Sequence, residues 1–246
     1  IDVNLATIMW RQGRVEEAAL VCRRAIKINK KSAEGYALLG AVLGAQGDNR
    51  GAIANFEKAV TLKPQLVTGW VQLALLNKSQ NDLDAALAAC KRAETLEPAR
   101  VDVLNTLGQV FKARGDLKRA ECALRRAAKT APAGKVRAEI EINLASLFIG
   151  QGSFHKAIAC CRAAIKANPS LPQAYNLLGV ALKSSHDLTG AKIAFEQALK
   201  INSQMFEAQI NLGTVFGLWG EWSKALRCYD RALYVDPESV EALNNR

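Results

Sequence analysis

Apolar residues recur along this chain at helical spacing, in pairs of segments separated by short polar turns. In residues 34–64, and again in residues 173–203, apolar side chains fall at i, i+3, i+4 and i+7 within each half of the segment. Because this spacing gathers them on one face of a helix, each segment is predicted to fold as a helix, a turn and a second helix. The pattern returns every 34 residues through most of the chain, which predicts an array of helix pairs.

Small residues hold fixed places in this repeating unit. Each second helix carries two alanines, and each first helix carries one alanine or glycine directly after a leucine. Side chains without bulk let two helix backbones approach closely, and the leucines are expected to fill the core beside them. The four series are Ala18, Ala52, Ala86, Ala120, Ala157, Ala191 and Ala225; Ala25, Ala59, Ala93, Ala127, Ala164, Ala198 and Ala232; Ala6, Gly40, Ala74, Gly108, Ala145, Gly179 and Gly213; and Leu5, Leu39, Leu73, Leu107, Leu144, Leu178 and Leu212.

The turn between the two helices of a unit has its own residue pattern. It usually holds glycine, as a left-handed residue at a helix end requires, and the exceptions Asn81 and His186 are types that tolerate positive φ. An aspartate or serine follows the turn and is expected to accept hydrogen bonds from the free amides that open the second helix. The glycines are Gly13, Gly47, Gly115, Gly152 and Gly220, and the expected capping residues are Asp48, Asp82, Asp116, Ser153 and Asp187.

With this pattern the chain resembles the tetratricopeptide repeat family, whose unit combines W-x2-L-G-x2-Y with A-x3-F and a later alanine and proline. In residues 33–66 the matching positions are Tyr36, Leu39, Gly40, Leu43, Ala52, Phe56, Ala59 and Pro64. The resemblance implies an all-α fold, a right-handed superhelix of antiparallel helix pairs that forms one solenoid domain over residues 1–246. The expected repeats are 1–32, 33–66, 67–100, 101–134, 138–171, 172–205 and 206–239, with a partial eighth at 240–246. Because neither end carries a polar capping element, the chain is expected to be a segment of a longer protein, and its ends are candidates for self-association.

One interval breaks the period, because 37 residues rather than 34 separate the fourth and fifth repeats. The three extra residues, Lys135, Val136 and Arg137, amount to nearly one helical turn. The favoured interpretation is that the fifth first helix begins a turn early, with Val136, Ile140 and Leu144 on one face. The alternative is a longer loop after Gly134, with Lys135 and Arg137 free to contact a ligand.

Residues that could carry chemistry are scarce. The sequence has no nucleophile elbow, phosphate-binding loop, dinucleotide fingerprint or H-E-x-x-H motif, and its six cysteines form no CxxC pair. No catalytic residue, cofactor or metal site is therefore predicted. The cysteines fall on apolar helix faces and are expected to be inert core residues, as is typical of a reducing intracellular compartment, cytoplasmic or nuclear. The longest apolar run, Ala37–Ala45, is too short to span a bilayer.

In the family that the chain resembles, the first helices line a concave groove that binds a peptide or helix of a partner protein. Asparagine offers both a donor and an acceptor, so a ladder of asparagines can hold an extended peptide backbone. The O-GlcNAc transferase arm has such a ladder, and the similarity is partial because Leu38, Gln72, Thr106 and Leu177 interrupt it here. The candidate groove residues are Asn4, Gln72, Lys78, Asn105, Gln109, Lys112, Asn143, Asn176, Lys183, Asn211 and Asn245.

The net charge of +10 is concentrated late in the second helices, on the face opposite the groove. The leading hypothesis is a non-catalytic interaction scaffold for a protein or peptide partner, and one alternative is the substrate-recognition arm of a larger enzyme such as an O-GlcNAc-type glycosyltransferase. A second alternative is electrostatic binding of nucleic acid or an anionic membrane. It is disfavoured because no aromatic residues interleave with the cations, and because the helix dipole alone favours cations there. The basic residues are Arg23, Arg24, Lys27, Lys58, Lys91, Arg92, Arg125, Arg126, Lys129, Arg162, Lys166, Lys200 and Arg231.

Overall fold

The computed structural model describes residues 2–246, apart from the side chain of Asp2, and within that range it contains fifteen α-helices and no strand. Their bounds are α1 Asp2–Arg11, α2 Val15–Ile28, α3 Ala33–Ala45, α4 Asn49–Leu62, α5 Val67–Ser79, α6 Leu83–Leu96, α7 Val101–Ala113, α8 Leu117–Thr130, α9 Lys135–Gly150, α10 Phe154–Ala167, α11 Pro172–Ser184, α12 Leu188–Ile201, α13 Phe206–Leu218, α14 Trp222–Val235 and α15 Val240–Asn245. The predicted all-α arrangement of helix, turn and helix is therefore confirmed.

These helices form two compact units, which divide between Ala127 and Ala128 inside α8. In unit 1 the core groups Ala18, Cys22 and Val42 in its first repeats and Phe56 with Cys90 further along. In unit 2 the core is built around Phe195, Ile210, Val215 and Tyr229. Both alanine series of the second helices are buried in every repeat, as predicted.

The turns also follow the prediction, with one exception at a cap. Asn81 and His186 adopt φ of 61° and 66°, in the same place where the other repeats have glycine. Asp48 accepts a hydrogen bond from the amide of Gly51 at 2.9 Å, and the other three aspartates cap their helices in the same way. Ser153 does not accept a cap hydrogen bond, so the expectation for this residue was wrong. The length of a serine side chain does not prevent capping, since Ser32 accepts from the amide of Gly35 at 3.1 Å; the backbone ψ is 92° at Ser32 and 62° at Ser153.

The long fifth first helix is confirmed, because α9 begins at Lys135 and the alternative loop is wrong. Ile140 and Leu144 are buried as expected, but Val136 is 43% exposed because it lies in the added turn beyond the packed face. The Nε of Arg137 donates to Oε1 of Glu141 at 2.8 Å, and its Nη1 donates to the backbone oxygen of Ala128. The added turn thus supplies the counter-ion of a carboxylate whose side chain is 8% exposed.

Three residues expected in the core lie elsewhere. Leu5 is 44% exposed, since α1 has no helix packed on that side among residues 2–246. Cys122 is exposed, because it falls at the outward position of the repeat where Ala54 and Ala88 are also exposed, and Cys160 is half-buried. The other four cysteines are buried, and all six are free thiols.

Candidate functional site

The first helices of unit 1 enclose an apolar cavity of about 600 Å³ between α1, α3 and α5. It forms because α3 has no polar side chain from Ala37 to Ala45, and its small residues Ala41, Gly44 and Ala45 leave space that larger side chains would fill. The walls also include Val3, Thr7, Trp10, Glu34, Ala37, Leu38, Thr68, Gln72 and Leu76. A cavity of this size, with few polar groups, is typical of a ligand or side-chain site.

Of the groove residues selected from the sequence, only Gln72 lines this cavity. A signal for it is nevertheless present, because the run from Ala37 to Ala45 has no polar residue at the positions that face a partner. The groove residues predicted from the sequence are all hydrogen-bonding groups, and an apolar contact surface contains none of these. Asn4 and Gln72 are exposed on α1 and α5, and Asn105 is half-buried on α7.

Further along the first helices of unit 1, two lysines and a glutamine come together. The Nζ of Lys78 donates to Oε1 of Gln109 at 2.6 Å. Burial lowers the pKa of Lys78, and burial together with the charge of Lys78 lowers the pKa of Lys112. Two half-buried cations that repel each other form a site at which a carboxylate would be stabilised.

In unit 2 the corresponding face carries a chain of polar contacts. The Nζ of Lys183 donates to Oδ1 of Asn211 at 3.0 Å, and Nδ2 of Asn211 donates to Oδ1 of Asn176 at 3.4 Å. Burial lowers the pKa of Lys183, although the nearby Glu241 carboxylate partly offsets this shift. Asn143 is half-buried on α9 and Asn245 is exposed on α15. The structure therefore joins three of the five residues selected in this unit.

The second helices present the basic residues. All thirteen selected from the sequence are exposed, in unit 1 and in unit 2 alike. Some are paired, since Arg126 lies 3.0 Å from Glu94 and Arg125 lies 2.7 Å from Glu121. Their charge is therefore only partly available to a ligand.

The buried thiols have the properties of core residues. Burial raises the pKa of Cys22 to about 11 and that of Cys90 and Cys161 to about 12. A thiol with so high a pKa stays protonated and is a poor nucleophile near neutral pH. Among residues 2–246, no group of three His, Cys, Asp or Glu side chains has the geometry of a metal site. The helices in the same range are all too short or too polar to cross a membrane.

Helix pairs, left-handed turn residues and exposed first-helix faces define this molecule as an α-helical repeat protein. A family model for the tetratricopeptide repeat matches residues 38–101 and 142–206, more than half of the chain. The chain belongs to the tetratricopeptide repeat family.

Individual proteins resemble this chain at low identity or over a short stretch. The peroxisomal targeting signal receptor of Kluyveromyces lactis is 32% identical over 78 residues, which are 32% of this chain and 14% of the receptor. The structure of the APC/C hetero-tetramer Cut9–Hcn1 has a TM-score of 0.80 at 16% identity, covering 98% of this chain and 47% of that one. YrrB, described as a TPR protein with an unusual peptide-binding site, has a TM-score of 0.56 at 21% identity, covering 77% of this chain and 96% of the YrrB chain. This chain thus spans less than half of the receptor and of the Cut9–Hcn1 chain, and the two structural likenesses show the fold.

Proposed function

We propose that this chain is a non-catalytic protein-interaction module, and that its first-helix faces bind an extended or helical segment of a partner protein. The cavity of about 600 Å³ in unit 1 carries this proposal. It is open on the face that the first helices share, and apolar side chains dominate its walls. An apolar side chain of a partner would bury surface there that is now in contact with water.

The polar residues beyond the cavity support the same function. In unit 1, Lys78 and Lys112 would meet a carboxylate of the bound segment. In unit 2, the Oδ1 of Asn176 accepts a hydrogen bond from Asn211, and the Nδ2 of Asn176 would donate to a peptide carbonyl. Because helices already hold all these groups in place, little conformational entropy would be lost on binding.

The similar proteins favour this class of function. YrrB carries a peptide-binding site by its description, and the receptor of Kluyveromyces lactis recognises a targeting signal by its name. Both concern recognition of a protein segment by a repeat fold, which is the class of function proposed for this chain.

Selection of peptides from a random displayed library on the immobilised chain tests the proposal. The enriched peptides should contain an apolar residue, and Ala41→Trp, which fills the cavity, should weaken their binding at least tenfold in a titration. Ala54→Trp is the matched control, because Ala54 is exposed on α4 and adds the same bulk outside the cavity. Failure to enrich any peptide, or equal loss of affinity in both variants, would contradict binding at this face.

Peptides that retain affinity for Ala41→Trp should depend on unit 2. Replacing Asn143, Asn176 and Asn211 together by alanine should weaken their binding while the helical circular dichroism stays unchanged. Unchanged affinity in the triple variant would exclude the polar face of unit 2 as a peptide site.

A further inference from the structure

The residue at the fourth position of the repeat changes type in the seventh repeat, and the function proposed for the first-helix faces does not account for this change. This position holds Tyr36, Trp70 and Tyr175 in the second, third and sixth repeats, but Gln209 in the seventh. Gln209 is only 6% exposed, and its Oε1 accepts no hydrogen bond from residues 2–246. An enclosed acceptor without a donor lowers folding stability, so a polar residue kept at this position calls for a role beyond packing.

A cavity of about 400 Å³ opens at Gln209, on the second-helix side of unit 2. It lies between α12 and α14, with α13 beneath it. Its apolar walls are formed by Leu199, Leu212 and Phe216. The volume is within the range of sites that hold a small ligand or a large side chain, about 300–1,000 Å³.

The same crevice in unit 1 shows what a large aromatic residue does at the fourth position. Trp70 forms part of that crevice and donates from its Nε1 to the backbone oxygen of Pro64 at 2.8 Å. The crevice at Trp70 has about 430 Å³ and reaches the buried Val60, and the cavity at Gln209 extends inward to Leu212 and Phe216. The seventh repeat therefore places a buried amide at the crevice where the third repeat has an indole ring.

The rim of the cavity at Gln209 is cationic. Arg227 and Arg231 line it, are exposed, and make no hydrogen bond or ion pair within residues 2–246. The other charged groups on the rim already have partners, since Lys224 pairs with Glu221 and Glu196 lies 3.5 Å from Lys192. Two unpaired guanidinium groups beside an apolar cavity favour a ligand that combines carboxylates with a ring.

We propose that this cavity is a second binding site, which takes a tryptophan or tyrosine side chain from an acidic segment of a partner protein. The ring lies among Leu199, Leu212 and Phe216, and the Gln209 amide accepts the N–H or O–H of the ring. Carboxylates on either side of the ring in sequence pair with Arg227 and Arg231. The site opens between the second helices α12 and α14 and does not depend on the function proposed for the first-helix faces.

Fluorescence anisotropy with a fluorescein-labelled peptide of sequence DEWED tests the proposal. The wild-type chain should bind it at least tenfold more tightly than the peptide DEAED, which has the same charge without the ring. Equal binding of the two peptides would reduce the site to general attraction between opposite charges and overturn the proposal. The proposal would also be overturned if single-stranded oligo-dT displaced the labelled DEWED peptide at the same concentration as unlabelled DEWED does.

Two variants locate the binding. Gln209→Trp supplies the ring from the chain itself, so it should abolish DEWED binding and raise the thermal unfolding midpoint. Gln80→Trp is its control, since Gln80 is exposed in unit 1. If Gln209→Trp binds within twofold of wild type, the cavity is not the site.

The charge requirement has a separate pair of variants on exposed residues, so their folding is not at risk. Arg227→Glu with Arg231→Glu should reduce DEWED affinity at least tenfold. The double variant Arg23→Glu with Lys27→Glu makes the same change in net charge on α2 of unit 1. It should reduce the affinity for DEWED less than twofold. Equal losses in the two double variants would overturn the proposal.

Discussion

In each repeat, the small residue of the first helix is matched in size to the side chain that faces it from the second helix. A Cβ added to Gly179 would lie 2.5 Å from a ring carbon of Phe195, and one added to Gly213 would lie equally close to Tyr229. Where the facing residue is cysteine, the small residue is alanine instead of glycine. These smaller pairs are Ala6 with Cys22, Ala74 with Cys90, and Ala145 with Cys161. The larger facing side chain is thus paired with the smaller residue of the first helix, which close packing requires.

Gly179→Ala should therefore destabilise the chain by about 1–3 kcal/mol, because the new methyl group and Phe195 cannot occupy the same space. Adding Phe195→Cys makes the pair that other repeats have, so the double variant should lose less than the sum of the single losses. Urea unfolding in a double-mutant cycle measures this coupling. In the control Gly44→Ala, the added Cβ finds its nearest neighbour at 3.7 Å, and stability should not fall. Strict additivity in the cycle would show that the match in size has no energetic basis.

The buried thiols also predict a dependence of stability on pH. Cys90 is 1% exposed, and burial raises its pKa from the ordinary 9.0 to about 12. The folded chain therefore keeps a proton that the unfolded chain loses above pH 9. The stability that Cys90 contributes is full below pH 9 and is lost as the pH rises toward 12. At pH 10 this loss is about 1.4 kcal/mol.

A comparison of wild type with Cys90→Ala at pH 7.5 and pH 10 checks this dependence. The advantage of wild type in unfolding free energy should shrink by about 1.4 kcal/mol between the two pH values. Leu73→Ala removes a buried side chain that does not titrate, so its effect should be the same at both. An advantage of Cys90 that does not change with pH would show that the thiol titrates alike in both states.

At the scale of the helix, α9 shows how an insertion can have a structural role. The fourth position of the fifth repeat holds Glu141, where three other repeats have an aromatic residue. A carboxylate at this depth needs a counter-ion, and the added turn brings Arg137 to it at 2.8 Å. The same turn is tied to the end of α8 through the backbone oxygen of Ala128.

Removing Arg137 should leave a buried charge without its partner. We expect Arg137→Ala to lose about 1–3 kcal/mol of unfolding free energy, less than for a fully buried pair because Arg137 is partly exposed. Glu141→Tyr in the same background should recover most of the loss, since other repeats carry tyrosine there. Thermal unfolding measures both, with Lys135→Ala as a control in the same turn. A loss in Lys135→Ala as large as in Arg137→Ala would contradict a specific role for the pair.

The helices and turns of this chain could be predicted from its sequence because short-range residue patterns determine them. The bounds of α9 followed from the spacing around residues 135–137, and the φ of Asn81 and His186 followed from their places in the turn. The cavity in unit 1 and the pairing of Arg137 with Glu141 could not be predicted in the same way. Both depend on which faces of different helices meet. The groove residues predicted from the sequence are polar, so they do not indicate an apolar surface.

For the whole molecule, the division into two units predicts separable folding. Each unit has its own buried clusters, and in repeat proteins each repeat is stabilised mainly by its neighbours. Fragments 1–134 and 135–246 should therefore each be helical by circular dichroism and melt cooperatively. Fragment 1–116 lacks α8, which covers Gly108 through Leu124, and should melt at a lower temperature than fragment 1–134. A random-coil spectrum for either of the two longer fragments would contradict this independence.

The free cysteines also provide a means to observe the opening of individual repeats. Cys22 and Cys90 lie in unit 1 and Cys161 lies in unit 2, and each is at most 1% exposed. Alkylation of each of these three sulfurs requires that its repeat open, so reaction rates under native conditions report three local opening free energies. Mass spectrometry of the intact chain's peptides would rank the repeats by local stability without any introduced label.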